Sequence, residues 1–229
     1  MLDTKTISEK VLNWFEDRVG FQELMEVLWD FPIPRRAKTF YLGGITLFFF
    51  GVQGVTGVLL SLNYRPTPDQ AYESVLFIMN EIRFGWLVRS IHAWSANLMI
   101  ISSVLHMLRI YVQGAYKAPR ELTWMVGILL GTLTLVFGFT GYLLPWDQRA
   151  YWATTVGSEM TGAVPLVGPY LLQLVRSGTE ISGFTLTRFY GVHILVLPAS
   201  LGGLLLVHLF LVHRHGLAPY RGATKKDEN

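Results

Sequence analysis

The run Ser90-Ile91-His92-Ala93-Trp94-Ser95-Ala96-Asn97-Leu98-Met99-Ile100-Ile101-Ser102-Ser103-Val104-Leu105-His106-Met107-Leu108 carries no formal charge over nineteen residues and is closed by Arg89 and Arg109. As a helix it would be about 28 Å long, close to the roughly 30 Å hydrocarbon thickness of a bilayer. A histidine lies three positions in from each arginine, so His92 and His106 fall near opposite membrane faces. At ~100° per residue their spacing brings the second within roughly 40° of the first, about 21 Å further along the axis. One metal ion cannot bridge that distance, so each histidine needs a partner on another helix. Only one other apolar run offers partners. The stretch Phe189 to His213, between Arg188 and Arg214, holds His193 and His208, 15 apart where the first two are 14 apart.

The rest of the composition agrees with a membrane setting. The chain has 229 residues, 51% hydrophobic and 15% charged, with a mean hydropathy of +0.37. That is too apolar for an ordinary soluble domain and too long for a single anchor. No stretch suggests a soluble enzyme or a nucleic-acid binder. Cysteine is absent, which excludes disulfides, thiolate metal sites and thioether-linked cofactors.

Residues 1–38 mix seven acids with six basic groups and hold no uninterrupted apolar run, unlike a signal peptide. Apolar positions Ile7, Val11, Leu12, Phe15 and Val19 recur at helical spacing, which predicts an amphipathic helix on the membrane surface. Four spans follow, at about 39–64, 90–108, 122–146 and 189–213, within a transmembrane domain of residues 39–214. Ala71 to Trp86 is read as a surface connection, and residues 164–178 as a short surface helix opening at Pro165. Residues 215–229 form a basic tail. The fold expected is an all-α integral membrane bundle of four spans.

Lysine and arginine set the orientation. Thirteen lie in the leader, the second connection and the tail, against six on the other side. By the positive-inside tendency both termini face the cytoplasm. The second and fourth spans are then parallel. His92 and His193 share the outer level, and His106 and His208 the inner one.

Ionisable groups inside a bilayer are costly, and four imidazoles in two depth-matched pairs point to a shared ligand. No span offers a thiolate or carboxylate, which argues against zinc or a di-iron site. Haem brings four of its own iron ligands and needs two axial ones, which one histidine from each helix would supply. Two such six-coordinate haems would carry electrons. Flat macrocycles between helices need close backbone approach; Gly43 and Gly57 in the first span and Gly127 and Gly141 in the third are each 14 apart. Arg89 and Arg109, on the faces of His92 and His106, could pair with haem propionates. Two other readings stay open: a di-haem membrane anchor of a dehydrogenase or hydrogenase, and a histidine-relay transporter or proton channel without haem.

Several segments resemble a known family: Phe40-Tyr41-Leu42-Gly43-Gly44-Ile45-Thr46-Leu47, Phe84-Gly85-Trp86-Leu87-Val88-Arg89-Ser90-Ile91-His92, Pro119-Arg120-Glu121-Leu122-Thr123-Trp124, Gly138-Phe139-Thr140-Gly141-Tyr142-Leu143-Leu144-Pro145 and Thr185-Leu186-Thr187-Arg188-Phe189-Tyr190-Gly191-Val192-His193. They closely resemble the cytochrome b6 family, the short four-helix cytochromes b of b6f-type quinol-oxidising complexes. The likeness runs from about residue 10 to about 220, and the unequal histidine spacing suits this branch.

The resemblance implies that His92 and His193 ligate an outer, low-potential haem b, and His106 and His208 an inner, high-potential one. It implies that Arg89 and Arg120 lie near propionates, beside the Arg109 already placed there by its position, and that the four glycines contact haem. Tyr142, Pro145, Trp146, Val164 and Leu171 are expected near an outer quinol site, and Tyr41 and His213 near the inner site. The implied activity is that of an electron-transfer subunit of a quinol:cytochrome c or plastocyanin reductase running a proton-translocating Q cycle, with no catalytic residue on this chain alone. Implied partners are a Rieske iron–sulfur protein, a c-type cytochrome, lipid, a second copy of the complex, and a separate subunit carrying a Pro-Glu-Trp-Tyr motif that is absent from this sequence.

Three departures qualify this. Tyr41 stands where b6f-type members attach a third haem through cysteine, so a covalent c-type haem is not expected. His213 stands where an arginine is common, and Trp146 where photosynthetic members usually have arginine. They suggest a bacterial relative in an energy-conserving plasma membrane ahead of a thylakoid.

Overall fold

The computed structural model describes residues 41–216, which are helical with no strand among them. The surface helix expected in 1–38, and all of the tail beyond Gly216, lie outside the described residues. Four helical stretches are long and apolar enough to cross a membrane. They are α1 (Leu42–Ser61), α3 (Gly85–Gln113), α4 (Glu121–Leu143), and a composite of α7 (Gly183–Gly191), a π-helical turn (Val192–Val196) and α8 (Leu197–His215). Short helices join them: α2 (Ala71–Asn80) before α3, and α5 (Gln148–Gly162) and α6 (Gly168–Arg176) between α4 and α7. Large apolar side chains such as Phe48, Ile101, Leu135 and Leu195 stand exposed along the spans, where lipid rather than water is the appropriate solvent.

The expected boundaries need correction in several places. The second span is longer than its charge-free core because helix continues through Arg89 and Arg109; long cationic side chains can reach the interface from inside a helix. It opens at Phe84, whose φ is +63°, and closes at the left-handed Gly114 (φ +67°), where the Ala115 N–H bonds to Ile110 O at 3.0 Å. The third span stops at Leu143, ahead of Pro145, and the fourth begins at Gly183 rather than 189. Ala71 to Trp86 is not a plain connection: α2 buries Ala71, Ser74 and Ile78. Gly85 lets α2 meet α3, since a Cβ there would lie 1.9 Å from Ile78 O. The surface helix opens at Gly168-Pro169 rather than Pro165, because proline suits the first helical turn and here that proline is Pro169.

Side-chain contacts fix the packing order. Thr46 meets Ser102 at 2.9 Å, and Gln53 Nε2 donates to Ser95 Oγ at 2.5 Å and to His92 O at 2.7 Å. α1 and α3 therefore run antiparallel along a polar clasp. On its other side α3 presses Met107 and Ile100 toward Gly131 and Gly138 of antiparallel α4, each 2.9 Å from where a Cβ would stand. Without a hydrophobic drive between helices in lipid, such small residues and hydrogen bonds do the joining.

The fourth span reconciles its wider histidine spacing through the π turn. Leu197 N–H bonds to Val192 O, five residues back, so one extra residue is absorbed within a single wide turn. Pro198 follows at once; in an unbroken α-helix its ring would press on the carbonyl four residues earlier.

The α5–α6 elbow is locked by Arg176, buried at 8% exposure. Its Nε donates to Ser158 Oγ at 2.8 Å, and Nη2 reaches Glu159 Oε1 at 3.4 Å. Thr185 seals the next corner, its hydroxyl donating to Arg176 O at 2.6 Å while accepting from Ser182 N–H. Arg176→Met should cost about 1–3 kcal/mol, the penalty for leaving buried hydrogen-bond partners unmet. The more exposed Glu159 keeps its water, which holds the loss below that of a fully buried ion pair. Faster limited proteolysis within 148–182 of detergent-solubilised protein, with a lower melting temperature, is the expected readout.

Candidate functional site

Each of the four span histidines lies half-buried against a glycine of a neighbouring helix. A Cβ on Gly43 would stand 3.2 Å from His106 Cε1, on Gly57 3.4 Å from His92 Cε1, on Gly127 3.4 Å from His208 Cε1, and on Gly141 2.8 Å from His193 Cε1. Gly51 and Gly54 of α1 face open space, and Gly131 and Gly138 of α4 face Met107 and Ile100. The 14-residue glycine pairs are thus set apart from the other glycines by what they touch. His92 and His106 stand on α3 and His193 and His208 on the fourth span, each against a glycine of a neighbouring helix.

Hydrogen bonds orient two of the rings. His92 Nδ1 lies 2.8 Å from Thr56 Oγ1, and His193 Nδ1 lies 2.9 Å from Thr140 Oγ1. Thr56 sends its one hydroxyl proton to Val52 O (2.6 Å), and Thr140 sends its proton to Val136 O (2.9 Å). Toward histidine each threonine is therefore an acceptor, which requires Nδ1–H and leaves the lone pair on Nε2. Nε2 is then the ligating atom on offer. Phe137 braces the His193 ring edge-on, with centroids 5.3 Å apart. At the other level His106 Nδ1 and His208 Nδ1 are buried without a formed hydrogen bond, with the backbone of Thr123 beside the His208 ring.

These features would suit a flat macrocycle held between imidazoles. The rings are set by glycine backbones, and no cluster of three or more His, Cys, Asp or Glu occurs among the described residues. Such a cluster would be the mark of a bare metal ion. Sequence reasoning missed Thr56 and Thr140, although each stands one residue before a singled-out glycine.

The arginines sit at the span ends. Arg89 is half-buried with its guanidinium 3.7 Å from Met79 Sδ, on the same helix face as His92 three residues on. Arg109 is half-buried near the end of α3, and Arg120 occupies the N-cap of α4.

Near the His92–His193 level the chain turns sharply after α4. Trp146 takes φ +53°, a left-handed conformation that costs a bulky residue about 1–3 kcal/mol. Its ring meets Tyr151 at 5.8 Å, and Asp147 caps α5 by accepting from Ala150 N–H at 2.8 Å. Tyr64 donates its hydroxyl to Leu144 O at 2.5 Å and stacks at a tilt on Tyr190, centroids 5.2 Å apart. Tyr142 is exposed, Pro145 half-buried, Val164 exposed and Leu171 half-buried on α6. Tyr41 immediately precedes α1, and His213 lies in the last turn of α8.

Comparison with known proteins identifies the family. The family model described as Cytochrome b/b6/petB matches residues 28–216. Cytochrome b6 of Synechococcus elongatus is 44% identical over 210 residues, covering 91% of this chain and 98% of the relative. Cytochrome b6 of Synechocystis sp. is 43% identical over 219 residues, covering 95% and 99%. Among solved structures, a chain of a hyperthermophilic respiratory Complex III superposes with a TM-score of 0.79 at 32% identity, over 94% of this chain and 59% of that one. This chain therefore spans well under two thirds of that solved chain. Four spans, paired imidazoles backed by glycine, and relatives of near-equal length agree: the chain is an integral membrane protein that belongs to the cytochrome b/b6 family.

Proposed function

We propose that the chain is the di-haem electron-transfer subunit of a b6f- or bc1-type quinol oxidoreductase, holding one haem b between His92 and His193 and another between His106 and His208. The observation that carries the reading is the four-fold match of histidine to glycine, made at two levels by the same pair of walls. Haem b held between these imidazoles would supply one-electron transfer. The residues of this chain do the rest. Thr56 and Thr140 hold His92 and His193 in the tautomer that presents Nε2. Arg89, Arg109 and Arg120 receive propionates at the span ends. Trp146, Tyr142, Pro145, Val164 and Leu171 border the outer quinol site, and Tyr41 and His213 the inner one.

In this reading quinol is oxidised near the outer face, and the chain conducts one electron of each pair inward to reduce quinone. Against an inside-negative potential that movement stores about 2.3 kcal/mol per 100 mV. The proposed setting is a bacterial energy-conserving membrane, with both termini on the cytoplasmic side. The proposed partners are a Rieske iron–sulfur protein, a small subunit carrying the Pro-Glu-Trp-Tyr motif, a c-type cytochrome, and a second copy of the whole complex.

A pyridine haemochrome assay on the purified polypeptide tests the cofactor. Two non-covalent b haems per chain are expected, and a colourless protein would overturn the reading. Affinity purification from the native membrane tests the assembly: a Rieske protein is expected to accompany the chain, whereas a flavin or molybdenum subunit in its place would point to a dehydrogenase anchor.

A further inference from the structure

The two levels of the site share one plan and differ in one detail. At both, a histidine of α3 and one of the fourth span rest on glycines of α1 and α4. At the outer level the residue before each glycine is a threonine, Thr56 before Gly57 and Thr140 before Gly141. At the inner level it is Leu42 before Gly43 and Val126 before Gly127. The difference reaches the imidazoles: Nδ1 of His92 and His193 each meets a hydroxyl within 2.9 Å, while Nδ1 of His106 and His208 has no formed hydrogen bond.

Back-bonding of a threonine hydroxyl to the carbonyl four residues earlier is not itself the signal. Thr132 and Thr134 do the same to Ile128 and Leu130 without touching a histidine. What distinguishes Thr56 and Thr140 is the second role. Having committed its proton to the backbone, the oxygen can only accept, and it draws the Nδ1–H toward itself. An imidazole that donates strongly from Nδ1 is a more basic ligand through Nε2. A more basic ligand pair favours ferric over ferrous iron and lowers the reduction potential.

We infer that Thr56 and Thr140 are positioning residues that hold the outer haem at a lower potential than the inner one, and so make the inward electron step downhill. The inference rests on the di-haem reading above. It assigns the potential difference to this chain alone, through two hydroxyls present at one level and missing at the other, before any partner subunit is considered.

The test is a potentiometric titration of each b haem in the purified complex, read by optical and EPR spectra. Thr56→Val and Thr140→Val keep side-chain shape while deleting the hydroxyl. Each is expected to shift the outer reduction equilibrium about tenfold toward the reduced form, about 59 mV for a one-electron couple. The inner haem should not move. Thr56→Ser and Thr140→Ser, which keep the hydroxyl, should restore the wild-type value. The converse substitution, Val126→Thr, places a hydroxyl one residue before Gly127 and should lower the inner potential by a similar factor. Valine variants that keep both haems with unchanged potentials overturn the inference. Should they instead shed the outer haem, the Val126→Thr arm decides, and an unmoved inner potential overturns it. A wild-type protein without b haem overturns the di-haem reading itself, before any threonine variant is made.

Discussion

Replacing Gly141 by valine is expected to halve the haem content of the protein, the same result as His193→Ala but reached without removing a ligand. Even a single Cβ at residue 141 would stand 2.8 Å from His193 Cε1 and 3.4 Å from Nε2, closer than carbon atoms in proteins ordinarily approach. Valine adds two methyl groups beyond that. The imidazole must move away, and in moving it leaves the Thr140 oxygen that sets its tautomer, 2.9 Å from Nδ1. Overpacking of this kind costs about 1–3 kcal/mol on its own. The lost ligand direction adds to it, and about 1.4 kcal/mol already means a tenfold loss of affinity. The distances also order the milder alanine substitutions. Gly141→Ala should be the most damaging and Gly43→Ala (3.2 Å) intermediate, while Gly57→Ala and Gly127→Ala (both 3.4 Å) are nearly tolerated. Gly51→Ala and Gly54→Ala meet nothing within 4 Å and should keep full haem content. Haem per polypeptide by pyridine haemochrome checks the series, and a retained outer haem in Gly141→Val would refute the packing argument.

Deleting one residue should have opposite outcomes in the two histidine-bearing spans. Removal of Ile100 from α3 turns His106 by ~100° relative to His92 and draws it ~1.5 Å closer, since nothing in a regular α-helix can absorb the loss. One of the haems should be lost entirely. Removal of Leu195 from the fourth span takes out the extra residue that the π turn of Val192–Val196 accommodates. The segment can then close as ordinary α-helix, with His193 and His208 spaced like the other pair. Pairing the deletion with Pro198→Ala removes the ring that would press on the carbonyl four residues back. That double variant should keep both haems, with helical content unchanged by circular dichroism. If it loses a haem as α3 does, the π turn is not a register correction.

The spans were readable from sequence because charge-free runs are dictated by the bilayer, not by particular neighbours. Helix ends were less readable. Arg89 and Arg109 look like boundaries to a charge count, yet α3 runs through both to Gln113, because the backbone does not stop where a long side chain can reach water. α2 hid in a segment of mixed polarity, and its burial of Ala71 and Ile78 depends on Gly85, a contact no local pattern announces. The π turn was present only as a spacing of 15 in place of 14, which a wheel projection tolerates without comment. The 14-residue repeat singles out four glycines from a richer set, and that Gly51 and Gly54 touch no imidazole depends on how the helices pack. Thr56 and Thr140 give no signal in the sequence because a threonine in a membrane helix is ordinarily satisfied by its own backbone. The second partner comes from a helix distant in sequence.

The clasp of Thr46, Gln53, Ser95 and Ser102 bears on biogenesis. Those bonds join α1 to α3 without help from a cofactor, and they tie down the carbonyl of His92 as well. α1 and α3 can therefore join as one wall before the other wall packs, with His92 aimed by Thr56. Porphyrin capture then requires only the opposite wall to settle, so less ordering entropy opposes insertion than if all four helices had to find one another around the ring.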